Sequence, residues 1–207
     1  MTATTGRPLP GWRLWLPLAF QIVLVAAVPA QAIYTQLLGR AVILQTVPVD
    51  PYSLMQGYSV TLSYDISNLD TLKRLPGWQD IPKTANAMTS RGSPERVPGP
   101  ETTFYIILEA PPQTGTRTPP QAWKPVAIRS EQPKSLAANQ VALKGQGNHW
   151  NVLYGLETYY IPEEVRFELN EALRLGSKQA PVVEIKVDKQ GHAVPVRLWV
   201  KNREYRF

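Results

Sequence analysis

The 207-residue sequence has no cysteine and only two histidines, and these shortages exclude several kinds of chemistry. Without cysteine there is no disulfide framework, no thiolate zinc site, no iron–sulfur cluster and no cysteine nucleophile. His149 and His192 do not have the spacing of a metal-binding pair, so we expect neither a metal nor another cofactor. The domain must therefore be held together by its apolar core.

A large excess of charge is also lacking. The sequence has 22 Lys and Arg residues against 16 Asp and Glu residues, a net charge of +6, and Arg7, Arg13 and Arg40 supply half of that excess. No dense basic stripe occurs before the C-terminal tail. Because proteins hold nucleic acids largely through clustered basic residues on phosphates, we expect no nucleic-acid partner.

The sequence does contain one long apolar run, residues 14–33, without a charged residue. About 20 apolar residues in a helix cross the ~30 Å hydrocarbon core of a bilayer. Apolar residues continue to Leu38, and Tyr34 suits the interface between membrane and water. We predict a transmembrane anchor over residues 14–38.

The basic residues beside this run predict its orientation. Arg7 and Arg13 precede it, whereas Arg40 is the main charge that follows. By the positive-inside rule, residues 1–13 are cytoplasmic and residues 39–207 form an extracytoplasmic domain. The predicted localisation is a membrane that the chain crosses once.

A cleaved signal peptide over residues 1–32 is the alternative to a retained anchor. Ala30-Gln31-Ala32 has the Ala-x-Ala pattern that a signal peptidase cuts. The apolar residues that continue through Ile33, Leu37 and Leu38 favour the retained anchor. Both interpretations export the domain, so the side of the membrane on which it lies is the same.

The segment after the anchor alternates between apolar and polar residues. The apolar positions are Tyr58, Val60, Leu62, Tyr64 and Ile66, and the polar positions between them are Ser59, Thr61, Ser63 and Asp65. A period of two predicts a β-strand. We expect one face of this strand to lie in the core and the other to face water.

The same segment resembles a known motif. Pro48-Val49-Asp50-Pro51, then Leu54, then Gly57-Tyr58-Ser59-Val60-Thr61-Leu62-Ser63-Tyr64 are similar to the motif that names the GDYXXLXY family of bacterial membrane-anchored proteins. Gly57, Leu62 and Tyr64 match the motif, whereas Tyr58 and Ser59 stand where it has Asp and Tyr. Residues 123–127 and 154–164 are similar to later blocks of the family.

The resemblance implies one membrane helix, a small extracytoplasmic domain and no established activity. It also implies association with polytopic membrane proteins. Asp50, Gly57, Leu62 and Tyr64 are therefore candidate motif or binding residues.

The middle of the chain predicts two paired strands after a long connection. Residues 68–101 are rich in proline, glycine and scattered charge, which predicts a flexible insert. Residues 103–108 and 123–129 then predict two strands that pair. Pro125 must lie on an edge or at a bulge, because proline cannot donate to the ladder.

The last part of the chain predicts more short strands. Residues 140–143 and 149–156 are weaker strand candidates, separated by a glycine-rich turn at residues 145–148. Residues 182–187 and 193–200 predict a hairpin.

One soluble helix is predicted between these strands. Pro162 suits its first turn, and Gly176 ends it. The predicted fold class is mainly β, a small antiparallel barrel or sandwich with one soluble helix, preceded by one N-terminal transmembrane helix.

Glu157 is the best single candidate for a functional polar residue. It precedes Tyr159 and Tyr160, which are further binding candidates. Glu163 and Glu164 are explained by the dipole at the start of the predicted helix, but Glu157 is not. Carboxylates with a shifted pKa cluster at functional sites, but they also occur in structural ion pairs. We therefore assign no catalytic residue.

The C-terminal tail offers a second group of candidates. Arg197, Trp199, Lys201 and Arg203 fall on one face of an extended chain. One interpretation is a solvated edge strand whose charges prevent aggregation. The other is a basic, aromatic surface that faces anionic lipid headgroups, where each cation contributes about 1 kcal/mol.

We predict a membrane-anchored binding or scaffolding protein without catalysis, associated with a polytopic membrane partner. The alternative is a cell-envelope hydrolase that uses carboxylates or a Ser/Lys pair. Ser53 would be that serine, but no Lys lies at a matching strand. An enzyme requires polar residues that converge in a pocket, whereas a binding module requires an exposed apolar or aromatic patch.

Overall fold

A computed structural model of the protein describes residues 12–47, 55–56, 59–88, 94–112, 118–160, 181–200 and 202–206. The helices are α1 (Trp12–Leu38) and α2 (Leu69–Leu72), and short 3-10 turns lie at Asp65–Ser67 and Trp78–Asp80. The strands are β1 (Arg40–Gln45), β2 (Met55–Gln56), β3 (Ser59–Thr61), β4 (Ala85–Met88), β5 (Pro94–Val97), β6 (Thr103–Glu109), β7 (Lys124–Arg129), β8 (Gln140–Asn148), β9 (Asn151–Leu153), β10 (Thr158–Tyr160), β11 (Val182–Val187), β12 (Ala193–Val200) and β13 (Arg203–Arg206).

Antiparallel sheets are the main regular structure of the described chain. One four-stranded sheet has the order β1-β11-β12-β13, and a second has the order β7-β6-β8-β9. A three-stranded sheet, β10-β3-β2, and a hairpin of β4 and β5 complete the arrangement. The prediction of a mainly β protein with few helices is confirmed.

One apolar cluster includes side chains from each of these sheets and from the β4–β5 pair. The largest of its fully buried side chains come from both large sheets and from the segments between them. They are Leu44, Leu62, Tyr64, Leu72, Phe104, Ile106, Leu108, Ile128, Leu143, Leu156 and Ile185. A shared cluster of this size supplies the stability that a chain without cysteine needs.

The predicted one-sided strand shows the expected burial at Leu62, Tyr64 and Ile66 and is too long in its extent, while Tyr58 and the side chain of Val60 lie outside what the structure describes. Leu62, Tyr64 and Ile66 are buried, while Ser63 and Asp65 between them are exposed. The strand β3 nevertheless ends at Thr61, and a 3-10 turn begins at Asp65. The turn forms because the N–H of Ser67 donates to the carbonyl of Tyr64, 2.9 Å away.

The predicted flexible insert at residues 68–101 contains short regular elements among its described residues, 68–88 and 94–101. They are α2, the 3-10 turn Trp78–Asp80 and the paired strands β4 and β5. Leu72, Trp78, Ile81 and Val97 from this segment are buried in the main core. Isolated apolar residues between prolines thus enter the core without any regular spacing, and the flexibility of the segment stays a prediction.

The predicted turn at residues 145–148 is also wrong, since β8 runs through it to Asn148. The glycines serve close packing instead. A Cβ at Gly145 would lie 2.7 Å from the Val152 side chain, and one at Gly147 would lie 2.6 Å from the carbonyl oxygen of Pro98. The chain turns at His149, which has a φ of 35°, so His149 is a turn residue rather than the entry to a strand.

Two other strand predictions are confirmed. β6 pairs with β7, which is an edge strand, and the register shifts opposite Pro125. β11 and β12 form the predicted hairpin. β12 is not an edge strand, however, because β13 pairs with its outer side.

The N-terminal helix α1 is apolar and mostly exposed. It contains Pro17 and Pro29. Among the described residues no single straight helix is long and apolar enough to cross a membrane. The two parts 15–27 and 29–38, which meet at an angle of 46°, together satisfy that test by length and composition. Proline removes a helical hydrogen bond and favours such a bend. The soluble helix predicted from Pro162 lies outside the described residues.

Candidate functional site

Three tyrosines connect the motif segment to the segment around Glu157. The hydroxyl of Tyr64 donates to the carbonyl of Leu156 over 2.7 Å and is hydrogen-bonded to the hydroxyl of Tyr159. The hydroxyl of Tyr154 donates to the carbonyl of Ile66 over 2.5 Å. The rings of Tyr64 and Tyr154 meet edge to face, with centroids 6.5 Å apart. The polar ends of these buried rings are thus satisfied by backbone and by each other.

Burial controls the ionisation of this tyrosine cluster. It raises the pKa of Tyr64, Tyr154 and Tyr159 above the ordinary tyrosine value, because a phenolate is poorly solvated in the core. The negative charge of Glu157 raises the pKa of all three further. The cluster is therefore neutral at physiological pH, and its hydroxyls act as hydrogen-bond donors rather than as bases.

Glu157 lies at the edge of this cluster in a short connection between β9 and β10. Its Oε1 accepts the N–H of Tyr154 over 2.6 Å, and its backbone carbonyl accepts the N–H of Leu62 over 2.8 Å. Gly155 between them has a φ of 74°, which glycine adopts without strain. This arrangement holds the carboxylate in place and leaves Oε2 without a hydrogen-bond partner in the described part of the chain.

Glu157 lines an open cleft of about 520 Å³. The volume is in the range of small-molecule sites in proteins. The cleft lies between β8, residues 153–157 and the beginning of β12. Its lining residues are Thr103, Lys144, Gly145, Gln146, Leu153, Tyr154, Gly155, Glu157, His192 and Ala193.

Asp188 orients the histidine in this cleft. The imidazole Nδ1 of His192 is 3.3 Å from Oδ2 of Asp188, and the backbone N–H of His192 donates to Oδ1 of the same carboxylate over 2.9 Å. The N–H of Gln190 also donates to Oδ1. The Asp188 side chain is only 2% exposed, while that of His192 is 40% exposed. A buried carboxylate thus contacts the Nδ1 side of a ring that is partly exposed.

Lys144 also lines the cleft. Its backbone N–H donates to the carbonyl of Gly191 over 2.9 Å, so the backbone of Lys144 lies against the turn that precedes His192. Within the described ranges, the Lys144 ammonium group has neither a hydrogen bond nor an ion pair. The residues that line the cleft therefore include a lysine without an anionic partner, an oriented histidine and a fixed carboxylate.

Arg197 in the basic tail is paired with acidic neighbours. Its Nε lies 2.9 Å from Glu184, and its Nη1 lies 3.3 Å from Glu204. The hydrogen bond that Arg197 donates to Glu184 raises the pKa of the guanidinium, which remains charged. Arg203 lies over the ring of Tyr205 at 5.8 Å. The charge of Arg197 is thus offset by carboxylates on two neighbouring strands.

The later block at residues 123–127 is attached to the first strand. The N–H of Trp123 donates to the carbonyl of Ile43 in β1 over 2.8 Å. The guanidinium of Arg40 lies 5.1 Å from the centroid of the Trp123 ring, a cation–π distance. The block therefore joins the two large sheets rather than lining the cleft.

Pairing of β3 with β10 brings the motif segment against the block that contains Glu157. A family model described as GDYXXLXY protein matches residues 21–198 of the sequence. The chain belongs to the GDYXXLXY family. The match begins inside α1 rather than near Pro48, so the family likeness includes most of the apolar run. No curated protein and no solved structure matches the chain significantly.

The GDYXXLXY motif residues have structural positions where they are described. Leu62 and Tyr64 lie in the core, and so does Tyr159. Tyr160 contributes its backbone to β10. Trp199 is half-buried in β12 with Arg197, and its indole Nε1 has no hydrogen-bond partner among the described residues. Asp50, Gly57 and Lys201 lie outside the described residues.

Of the sequence candidates that the structure describes, only Glu157 lines the cleft. Sequence reasoning did not select His192, Lys144 or Asp188. One signal was available, because Asp188 and His192 flank the turn of a predicted hairpin and are close enough to interact. Among the described residues no group of three or more His, Asp or Glu side chains is placed to hold a metal ion.

Proposed function

We propose that the protein is a single-pass membrane-anchored binding protein whose extracytoplasmic β domain associates with a polytopic membrane protein. The observation that carries this proposal is the character of α1. Its side chains are apolar and exposed along most of its length, and its last turns are attached firmly to the β domain.

Exposed apolar side chains on α1 support a membrane environment. Trp15 is 70% exposed and Leu37 is 72% exposed, and the helix has no acidic residue. Such a surface is costly in water and favourable in lipid. The bend between its two parts is compatible with a span, since prolines are tolerated in membrane helices.

The attachment of α1 to the β domain supports a scaffolding role. Thr35 is only 1% exposed, and its hydroxyl donates to Asp188 over 2.9 Å. Nζ of Lys186 in β11 donates to the carbonyl of Gln36 over 2.6 Å. The N–H of Gly39 donates to the carbonyl of Thr35 over 2.8 Å. A domain held in this way keeps one orientation relative to its anchor, which suits it to hold a membrane partner in register.

The finer architecture that we infer is a small sandwich. The two four-stranded sheets contribute their inward side chains to one cluster. Sheets that bury one face each against a common core are typical of sandwiches.

Protease protection tests the proposed topology. A reporter fused after Phe207 should be protected in intact cells and become accessible once the outer side is opened. The protein should need detergent for extraction and keep its N-terminus near Met1. A fusion that proteases reach only from the cytoplasm would contradict the proposal. A mature N-terminus at Ile33 would instead show that Ala30-Gln31-Ala32 is cleaved.

Purification of the intact protein from mild detergent tests the partner. We expect a polytopic membrane protein to copurify, and we expect Thr35→Val to reduce its recovery more than Thr35→Ser does. Valine has the shape of threonine but cannot donate to Asp188 or to the carbonyl of Gln31, whereas serine keeps the hydroxyl, so the comparison tests the hydroxyl at this position. Equal recovery with both variants would show that the attachment is irrelevant to the partner.

A cell-envelope hydrolase is the second candidate, favoured by one observation. Glu157 and His192 converge in the same cleft, as an enzyme requires. Ser53, the serine of the alternative Ser/Lys pair, lies outside the described residues. Hydrolysis of a model ester or glycoside that Glu157→Gln abolishes would support this candidate, whereas equal turnover by both forms would exclude Glu157 as its catalyst.

A further inference from the structure

We propose that the cleft binds a small zwitterion in which an ammonium group is joined through a short chain to a phosphate. The phosphate would lie beside Lys144 and His192, and the ammonium group would lie beside Glu157. The ligand chemistry is that of phosphoethanolamine, either as a soluble compound or as a lipid headgroup.

The phosphate side of the cleft is assigned to Lys144 and His192, which both line it. The backbone of Lys144 is hydrogen-bonded to Gly191, the residue before His192. The Lys144 ammonium group has no partner in the described part of the chain, and the His192 ring is held by Asp188 from its Nδ1 side. An ammonium group without an anionic partner suits a phosphate, which has several terminal oxygens and up to two negative charges.

The ammonium side is formed by the carboxylate of Glu157. Its Oε1 is occupied by the N–H of Tyr154, so the carboxylate is already oriented before a ligand arrives. Its Oε2 is available to accept from a ligand N–H. A fixed carboxylate in a partly enclosed cleft favours a cation that can donate hydrogen bonds.

The presence of both charges favours a zwitterion over a simple ion. Phosphate alone would be repelled by Glu157, and a simple amine would be repelled by Lys144. A molecule with both groups would satisfy the two sides together. A cleft of about 520 Å³ has room for such a molecule together with bridging water.

Two sources could supply this chemistry. His192 lines the cleft and also contacts Asp188, which accepts the hydrogen bond from Thr35 in the last turns of α1. If α1 spans a membrane, as the proposed function states, the cleft opens near the lipid headgroups. A lipid with a phosphoethanolamine headgroup is then one source, and free phosphoethanolamine is the other.

Calorimetric titration of the full-length protein in a nonionic detergent tests the ligand class. We expect O-phosphoethanolamine to bind at least tenfold more tightly than inorganic phosphate or ethanolamine. β-Alanine, which has a carboxylate in place of the phosphate, should bind more weakly than O-phosphoethanolamine. Equal affinities for all four compounds, or no binding of any, would overturn the proposal.

Matched variants assign the two sides. Lys144→Met removes the ammonium group but keeps a side chain of similar length, and it should weaken the binding of O-phosphoethanolamine at least tenfold. Lys134→Met is the control, because Lys134 is exposed and lies outside the cleft, and it should not change that binding. Equal weakening by both variants would overturn the assignment to the cleft.

Glu157→Gln gives the sharpest result because it should change the affinities for two ligands in opposite directions. The glutamine oxygen can still accept the N–H of Tyr154, so the local structure is kept. The variant should bind O-phosphoethanolamine several-fold more weakly than the unchanged protein does. It should bind inorganic phosphate more tightly, since the carboxylate charge that repels phosphate is gone. A change in the same direction for both ligands would overturn the placement of the ammonium group.

Lipid nanodiscs separate the two sources. Discs that contain phosphatidylethanolamine should compete with O-phosphoethanolamine if the ligand is a headgroup, and phosphatidylcholine discs should not, because a quaternary ammonium group has no N–H for Glu157. If neither kind of disc competes, the ligand is the soluble compound rather than a lipid headgroup. Cytoplasmic exposure of the Phe207 fusion would refute the proposed function, while binding of O-phosphoethanolamine would still stand.

Discussion

The hydroxyl of Thr35 lies 2.9 Å from the carboxylate of Asp188, which is 153 residues further along the chain, and 2.9 Å from the carbonyl of Gln31, so two acceptors share its single proton. Thr35 belongs to the last turns of α1, and Asp188 follows β11 at the beginning of the hairpin turn. The same carboxylate orients His192 in the cleft. One buried side chain thus connects the N-terminal helix, the hairpin and the candidate site.

Loss of this bond should loosen α1 from the β domain. Thr35→Val leaves a buried carboxylate oxygen with one partner fewer, which costs about 1–3 kcal/mol. Because the chain has no cysteine, spin labels at Gln21→Cys and Lys134→Cys can be attached without removing a native residue. We expect Thr35→Val to broaden the distance distribution between the labels, and Thr35→Ser to leave it narrow. The same width for both variants would show that the bond does not fix the helix.

The motif segment after β3 should show opposite behaviour at neighbouring positions. Leu62 is 2% exposed, and Leu62→Ala should lower the free energy of unfolding by about 2–5 kcal/mol. Ser63 is exposed, and Ser63→Ala should cost well under 1 kcal/mol. Chemical unfolding of the full-length protein in detergent measures both. If Leu62→Ala left stability unchanged and abolished recovery of the partner, Leu62 would belong to a recognition surface.

The tyrosine cluster should make the protein sensitive to alkali. Burial raises the pKa of Tyr64, Tyr154 and Tyr159, so above pH ~10 the unfolded chain loses protons that the folded chain keeps. Stability is then fully present below pH ~10 and falls by about 1.4 kcal/mol per pH unit for each of these tyrosines above it.

A phenylalanine variant isolates one member of this cluster. Tyr154→Phe should lower stability at neutral pH, since the carbonyl of Ile66 loses its donor, and should also reduce the alkaline slope by about one third. Measurements of unfolding and of tyrosinate absorbance at alkaline pH test both effects on stability. An unchanged slope in the variant would show that Tyr154 ionises equally in the folded and unfolded states.

Two glycines should respond differently to the same substitutions. A Cβ at Gly147 would lie 2.6 Å from the carbonyl oxygen of Pro98, so Gly147→Ala should cost about 1–3 kcal/mol and Gly147→Asn more. Gly155 has open space but a φ of 74°, so Gly155→Ala should cost about 1–2 kcal/mol and Gly155→Asn less, because asparagine tolerates that conformation. Melting temperatures of the four variants give the comparison, and the same order at both positions would contradict it.

Local pattern was sufficient for several parts of the fold. The alternation that includes Leu62 and Tyr64 predicted which side chains are buried, because successive side chains of an extended chain point to opposite sides. The position of Pro125 on an edge strand, at a shift in register, was predicted because proline has no N–H to donate to a neighbouring strand. The hairpin of β11 and β12 followed from two apolar runs and a glycine-containing turn.

Local pattern misled where the deciding contact comes from a distant segment. Gly145 and Gly147 have the composition of a turn, yet Val152 and Pro98 approach so closely that only glycine fits in a continuous strand. Leu72 and Trp78 lie among prolines and charges, yet both are buried by strands far along the chain. Neither the spacing nor the composition of these segments contains that information.

The sequence by itself determined the mainly β class, the family and the apolar character of the N-terminal helix, because composition and short periods depend on neighbouring residues. Only the tertiary structure decided that Glu157, Lys144 and His192 line one cleft and that Asp188 joins this cleft to Thr35. These groups come from separate strands, turns and a helix. Their proximity depends on how the sheets pack and in which register their strands pair, and both are set by long-range burial.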